Sequence, residues 1–463
     1  MKPTPVPAQS PAKRLRNFQE VELGFSKRTA VDEARKFPQS HVPTFQPKCP
    51  LGINILEFVR LLREGDIPEA YKKIREASDL PGICGRVCRA PCEADFVIGG
   101  KKVPLDVRAL ERFVADNGRP KFFGRDNLTC SRERIAVIGS GPAGLSAAAL
   151  LAKQHYCVTI FESLPQPGGV LRYGLPEFRI SRPALDAEIS QIRDLGVDLQ
   201  TDCHFGRTIT PDDIFEEGYA ALLLAVGRSR PSLQSIPGSD ARGVIYANEL
   251  LMNLNCEEQN FHHSFARRLG EKISVLGDQA LALDCARICR RLGKDVRLVC
   301  EGAEDSLDAH RNDIEYARQE GVLFETLSRA KEICVSSSGE VSGVRVIRMD
   351  YADPEANGQW VLVPAPDSET VLEADTVIVA KGHEVSKTIQ RAVQGLKMNE
   401  DGTIRLDEDT GQTSVPRVFA AGDCADPQQH VLDAMVCGKW AAERIMAFLA
   451  GTDTSGLPKG REG

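Results

Sequence analysis

An apolar run, Ile135-Ala136-Val137-Ile138, opens onto Gly139-Ser140-Gly141-Pro142-Ala143-Gly144 and then onto a stretch rich in Ala and Leu. This is the pattern of a strand, a tight turn and a helix whose free N–H groups face an anion. Gly139 permits the turn, Gly141 lets the backbone approach a pyrophosphate, Pro142 and Ala143 complete the turn, and Gly144 lets helix and strand pack closely. Glu162 ends the next apolar run, 23 residues after Gly139, where an acid can accept hydrogen bonds from a ribose. Strand, glycines, helix and acid together point to a bound dinucleotide; the glycines alone would be only a turn.

Two later stretches carry related chemistry. Pro416 to Ala421 reads as a late strand ending in Gly422-Asp423, with His430 to Leu449 as the helix behind it. A second glycine turn opening on a helix suits the ribityl and flavin end of FAD, although Gly422-Asp423 alone is just a turn. Ile273 to Leu276 leads into Gly277-Asp278-Gln279-Ala280-Leu281-Ala282, a G-x-G-x-x-A pattern whose first Gly and final Ala are present. Gln279 stands at the central glycine, so a side chain occupies the place where backbone approaches pyrophosphate. Glu301 lies 24 residues past Gly277, the spacing at which an acid accepts from a 2′-hydroxyl and repels a 2′-phosphate. At ~4 Å and an effective dielectric of about 20 that repulsion is on the order of 4 kcal/mol, close to a thousandfold, so NADH is expected over NADPH.

The elements that position these residues fall into three parts. From Asn17 to about residue 130 the pattern is helical, with apolar faces at Ile53, Leu56, Val59, Leu61 and Leu62 and at Val107, Leu110, Phe113 and Val114. Cys49 and Pro50 are expected to open the first of these helices. From Arg134 onward strands alternate with helices, which implies an α/β fold of parallel sheets covered on both faces. The expected organisation is a tail at 1–16, a cysteine-bearing helical domain at 17–130, which the resemblance given below implies is of iron–sulfur type, and a Rossmann-like dinucleotide-binding domain at 131–247 and 375–463. A second Rossmann-like domain is inserted in it at 248–374.

Composition narrows the function classes. Lys plus Arg against Asp plus Glu gives a net charge of −7, so no global positive field gathers nucleic acid. The longest apolar run is Ala220 to Val226, too short to span a membrane. The first 16 residues carry Lys2, Lys13, Arg14 and Arg16 among prolines and lack a secretory core, which reads as a flexible arm on a cytoplasmic protein. The 14 cysteines are too sparse for a disulfide scaffold, and most read as buried reduced thiols.

With these residues in view, the chain resembles the flavin subunits of glutamate synthase (the small chain), and the related portions of dihydropyrimidine dehydrogenase and of NADH-dependent ferredoxin:NADP oxidoreductases. The strings that carry the resemblance are CGRVC (84–88), GSGPAG (139–144), PGGVLRYGLPEFRI (167–180) and TGQTSVPRVFAAGDC (410–424), and it runs from about Asn17 to Ala450. It implies FAD in the first nucleotide domain, NAD(P)H in the second, and iron–sulfur chemistry in the helical domain. It also places Gly168, Gly169 and Arg172 in the FAD-contacting stretch, where alone they read as an exposed turn and a solvated arginine. Relatives that take NADPH carry paired arginines where this chain has Cys300-Glu301-Gly302.

The same resemblance implies an altered cysteine set. One cluster's ligand positions fall on Phe37, Ser40, Phe45 and Phe96, and none is a cysteine; the other's fall on Cys49, Cys88, Cys92 and the helix residue Glu111. The expectation is one [4Fe–4S] cluster with a single oxygen ligand, which would alter its reduction potential. Cys84 has no ligand role in this assignment. The three thiols alone also suit zinc, or an empty relic site, and Glu111 alone is a solvated helix charge.

The expected function is a flavoprotein electron-transfer subunit that exchanges hydride between NAD(H) and FAD. It passes electrons through the cluster to or from catalytic or iron–sulfur subunits of a larger oxidoreductase, or a ferredoxin-like protein. Alternatives are an FAD relay or assembly subunit with a non-functional nicotinamide site, and the glutamate synthase small chain. No residue reads as a catalytic nucleophile or acid–base pair.

Overall fold

The computed structural model describes residues 4–37, 49–94, 97–98, 101–102, 106–120, 130–228, 230–231, 236–255, 265–352, 360–427 and 430–452. Among these, no helix is long and apolar enough to cross a membrane.

Local sequence sets the helical domain. Asn54 caps the helix Ile55–Glu64 through the Glu57 N–H (3.2 Å), and Gly65 ends it in the left-handed conformation. Asp66 caps Ile67–Ala77, and Asp106 caps Val107–Gly118 by accepting from the Ala109 N–H (2.8 Å). Their apolar faces close one core around Phe58, Leu62, Ile74, Leu110 and Val114. Cys49 and Pro50 do not open a helix, contrary to the sequence expectation. They lie in a turn closed by the Gly52 N–H on the Cys49 carbonyl (2.9 Å), because Asn54 is the better cap.

Two five-stranded parallel sheets follow, each with its earliest glycine-turn strand at the centre, so the expected α/β class holds. In the first, the order is Val418–Ala420, Tyr219–Leu224, Arg134–Ile138, Cys157–Phe161 and Asp198–Gln200. In the second it is Leu323–Glu325, Asp295–Val299, Lys272–Leu276, Thr376–Val379 and Val244–Tyr246. The strands Val244–Tyr246 and Thr376–Val379 therefore pair in the second sheet, not the first, which moves both expected boundaries of the inserted unit outward. An antiparallel meander of Ser328–Val335, Val341–Ala352, Val361–Pro364 and Thr370–Glu373 extends this second unit.

Residues 4–16 are not a flexible arm. The Gln9 N–H donates to the Val21 carbonyl (2.9 Å), the Leu23 N–H to the Pro7 carbonyl (2.7 Å), and Pro11–Arg14 is a helical turn. Arg14 is 1% exposed: it donates to Gln319 (2.6 Å), pairs with Glu320 (3.5 Å) and lies 4.7 Å from the Tyr316 ring centre. A second departure concerns the thiols, since Cys130 and Cys157 form a disulfide at the entrance to the first nucleotide domain.

Replacing Arg14 leaves Glu320 with Arg287 and Arg291, so the loss is expected near 1–2 kcal/mol rather than the roughly 3–5 kcal/mol of breaking an isolated buried pair. Arg14→Ala should lower the thermal midpoint by about 2–4 °C. It should also speed tryptic cleavage at Lys13 or Arg16 several-fold, and unchanged cleavage would mean that the segment is held without this guanidinium.

Candidate functional site

The first glycine turn is built by close approach. Gly139 has φ +103°, and a Cβ there would lie 2.5 Å from the Ala225 carbonyl oxygen; a Cβ at Gly144 would lie 2.0 Å from the Gly139 carbonyl oxygen. Gly141 is different, with nothing within 4 Å of the same position, which leaves an open face above the start of the helix Pro142–Lys153. Two other segments rim this face. Gly169 packs against Gly141, while the Gly168 N–H donates to the Ser140 hydroxyl (2.8 Å); Gly422 and the last helix, Val431–Ala450, pack against Ala143.

The charged residues around the turn are engaged more fully than their spacing suggests. Glu162 is 4% exposed and does not stand free for a ribose: it accepts from the Ser140 N–H (2.9 Å) and hydroxyl and from the Leu164 N–H (2.9 Å). Arg172 is buried too, donating to the Pro167 carbonyl (2.7 Å) and pairing with Asp186, so it braces the Pro167-Gly168-Gly169 turn from behind. Asp423 lies at the rim, its carboxyl pushed up to about 7 by burial against the pull of Arg228. Arg228 itself was missed by sequence reasoning; its Nε is buried without a hydrogen bond. The signal was available, since Arg228 follows the strand Tyr219–Leu224 by the few residues that reach this rim.

The second turn is closed where the first is open. Gly277 keeps its close contact with Ala282 and Ala380, and Gln279 is the N-cap of the helix Ala280–Arg291. In front of it, Gln279 and Asp308 form a parallel bridge, the Asp308 N–H donates to the Asp278 carbonyl (3.0 Å), and the Ala280 N–H donates to the Asp308 carbonyl (3.1 Å). Glu301 follows the strand Asp295–Val299 as expected, yet its carboxylate is paired with Lys381 (2.7 Å) and Arg329 (2.9 Å), which hold it below the usual range against burial. The full repulsion of a 2′-phosphate expected from sequence is therefore reduced. A cavity of about 110 Å³ lies beside this triad, lined also by Leu276, Val299 and Ser328.

In the helical domain, Cys49, Cys88 and Cys92 each feel the Glu111 carboxyl electrostatically. Among the described residues no three His, Cys, Asp or Glu side chains form a group that could hold a single metal ion. Glu111 is not a solvated charge: it is 7% exposed, burial and the facing Glu188 push its carboxyl up to about 8, and its Oε1 has no hydrogen-bond partner. Burial pushes the Cys88 thiol up to about 12 and the Cys92 thiol higher still. Buried donors of this kind, one of them unsatisfied, fit an electron-poor iron centre that takes up thiolate and carboxylate charge. Cys84 is fully buried and contacts Ser78 and Met435, as a packing thiol does. Phe37 fills the helical core where the resemblance places a thiolate; Ser40, Phe45 and Phe96 lie outside the described residues.

Residues 133–442 match the family described as pyridine nucleotide-disulphide oxidoreductase, and residues 14–121 match dihydropyrimidine dehydrogenase domain II, 4Fe-4S cluster. The beta subunit of an NADP(+)-dependent formate dehydrogenase from Moorella thermoacetica is 32% identical over 88% of this chain, which spans 60% of that relative's length. The glutamate synthase [NADPH] small chain of Halomonas elongata is 28% identical over 96% of each chain. Among solved structures, Mycobacterium tuberculosis FprA in complex with NADPH superposes with a TM-score of 0.58 at 17% identity, covering 69% of this chain and 85% of that one, a likeness of fold. The two domain matches imply FAD, a nicotinamide dinucleotide and a [4Fe–4S] cluster. The chain belongs to the pyridine nucleotide-disulphide oxidoreductase family, is similar to glutamate synthase small chains, and carries a match to an iron–sulfur domain ahead of its nucleotide domains.

Proposed function

We propose that this chain is the flavin-bearing electron-transfer subunit of a cytoplasmic, multi-subunit oxidoreductase. The observation that carries the reading is the open face above Gly141, enclosed by the Pro167-Gly168-Gly169 turn and the Gly422-Asp423 turn. The residues Gly139, Gly141, Pro142, Ala143 and Gly144 would hold the FAD pyrophosphate, with Gly169, Gly422, Asp423 and Arg228 along its length. Glu162, acting through Ser140, and Arg172 keep the Gly139–Gly144 turn and the Pro167-Gly168-Gly169 turn in register with each other. FAD supplies the ability to accept a hydride as an electron pair and to release the electrons singly.

Cys49, Cys88, Cys92 and Glu111 would hold one [4Fe–4S] cluster. Two iron–sulfur and glutamate synthase features count against a complete glutamate synthase small chain: the Phe37 side chain in the core and the absent arginine pair at Cys300-Glu301-Gly302. Partner subunits supply the terminal donor or acceptor, a reading supported by relatives named as a formate dehydrogenase beta subunit and a glutamate synthase small chain.

At the second turn Gly277, Ala282 and Glu301 would receive the nicotinamide dinucleotide. With Lys381 and Arg329 balancing Glu301, preference for NAD(H) over NADP(H) rests mainly on a hydrogen bond from the 2′-hydroxyl, worth about tenfold. The structural observation that favours a second reading, a relay with an unused nicotinamide site, is the closure of this turn by Asp308.

Three measurements test the proposal. A Cβ at Gly141 meets no neighbour within 4 Å, so Gly141→Ala should fold yet lose at least tenfold in bound FAD, read from the flavin absorbance of purified protein. Full flavin content in that variant would move the site elsewhere. Anaerobically purified wild type should carry about four irons and four acid-labile sulfides per chain, and none would remove the cluster from the account. Stopped-flow bleaching at equal concentrations should be about tenfold faster with NADH than with NADPH; the reverse order would refute the preference.

A further inference from the structure

The loop from Glu304 to His310 crosses in front of the second glycine turn and takes its donor. Ala280 is the first residue of the helix Ala280–Arg291, and its N–H is among the groups that a dinucleotide pyrophosphate satisfies at a working turn. Here that N–H is bonded to the Asp308 carbonyl (3.1 Å), and the return bond from the Asp308 N–H to Asp278 (3.0 Å) locks the two segments side by side.

Asp308 is also held from both other domains. Arg89, next to Cys88 in the helical domain, donates to its Oδ1 (2.5 Å), and His430, at the start of the last helix of the first nucleotide domain, lies 3.2 Å from its Oδ2. A loop residue bridged to two separate domains while its backbone caps a third is a closure with three anchors.

We infer that Asp308 is a latch on the second nucleotide site: its peptide sits in the pyrophosphate position and must withdraw before a nicotinamide dinucleotide binds. The inference rests on the nicotinamide reading of the second turn given above. Arg89, Asp308 and His430 are each partly exposed, so each of the two contacts contributes at most about fivefold, and removing both is expected to shift the balance about tenfold toward the open turn.

The test uses the holoprotein and the variants Asp308→Ala and Asp308→Asn, the second nearly isosteric in case the first disturbs folding. Amide hydrogen exchange of the segment 278–283 should speed up about tenfold in both, and NAD⁺ measured by calorimetry should bind about tenfold more tightly than to wild type. Unchanged exchange, or faster exchange with unchanged or weaker NAD⁺ binding, overturns the latch while leaving the nicotinamide site in place. Absence of binding of NAD⁺ and NADP⁺ to wild type and both variants overturns the nicotinamide reading itself, and the latch with it.

Discussion

A guanidinium group taken out of water must be met by carboxylates, and that requirement assembles the three domains of this chain. Glu320 accepts from Arg287 and Arg291 and pairs with Arg14; Asp313 pairs with Arg179 and Arg287; Glu20 binds Arg86 and Arg112; Glu22 binds Arg108. Phe178, from the first nucleotide domain, lies against Arg287 (4.5 Å) and Arg291 (4.1 Å) of the second. The amino-terminal segment contributes Arg14, Glu20 and Glu22, so residues that look like a solvated tail are part of the charge balance. Paired charges of this kind are weak evidence for stability, but removing a charge whose partner has no other counter-charge leaves that partner buried and uncompensated. The relative placement of both nucleotide turns depends on this junction.

Much of the architecture was legible from local pattern. The strands at 134–138 and 272–276 and the helix after Gly141 follow directly from apolar runs bounded by glycine and proline. The failures share a physical origin in long-range partners. Nothing near Arg14 in sequence shows that Glu320 waits for it. Thr376–Val379 is an apolar run equally suited to either sheet, and only its pairing with Lys272–Leu276 decides the matter. Glu301 had the right spacing, yet its electrostatic meaning was changed by Arg329 and Lys381, which arrive from the meander and from the strand end.

The two nucleotide turns share a sequence plan and differ in what stands before them. At the first, Gly141 faces open space while Ser140, Glu162 and the Gly168 N–H satisfy one another, so the turn is preorganised without being filled. At the second, a side chain replaces the central glycine and a neighbouring peptide occupies the donor. The asymmetry divides the labour: a resident group is suited to the first turn and an exchanging one to the second. In the helical domain, burial disfavours the charged forms of the Cys88 thiol and the Glu111 carboxyl, so a ligand role for them would require a compensating cation.

The inserted unit is joined to its host through Val244–Tyr246 and Thr376–Val379, which pair with each other, and through a short ribbon of Arg230–Pro231 against His383–Glu384. Entry and exit thus share a single doorway. Because both connections pass through that one paired doorway, it fixes their spacing, while the buried contacts of Arg179 with Asp284 and Asp313 and of Phe178 with Arg287 and Arg291 hold the cassette against its host; transplanting it between hosts would mean carrying over that surface as well as the splice.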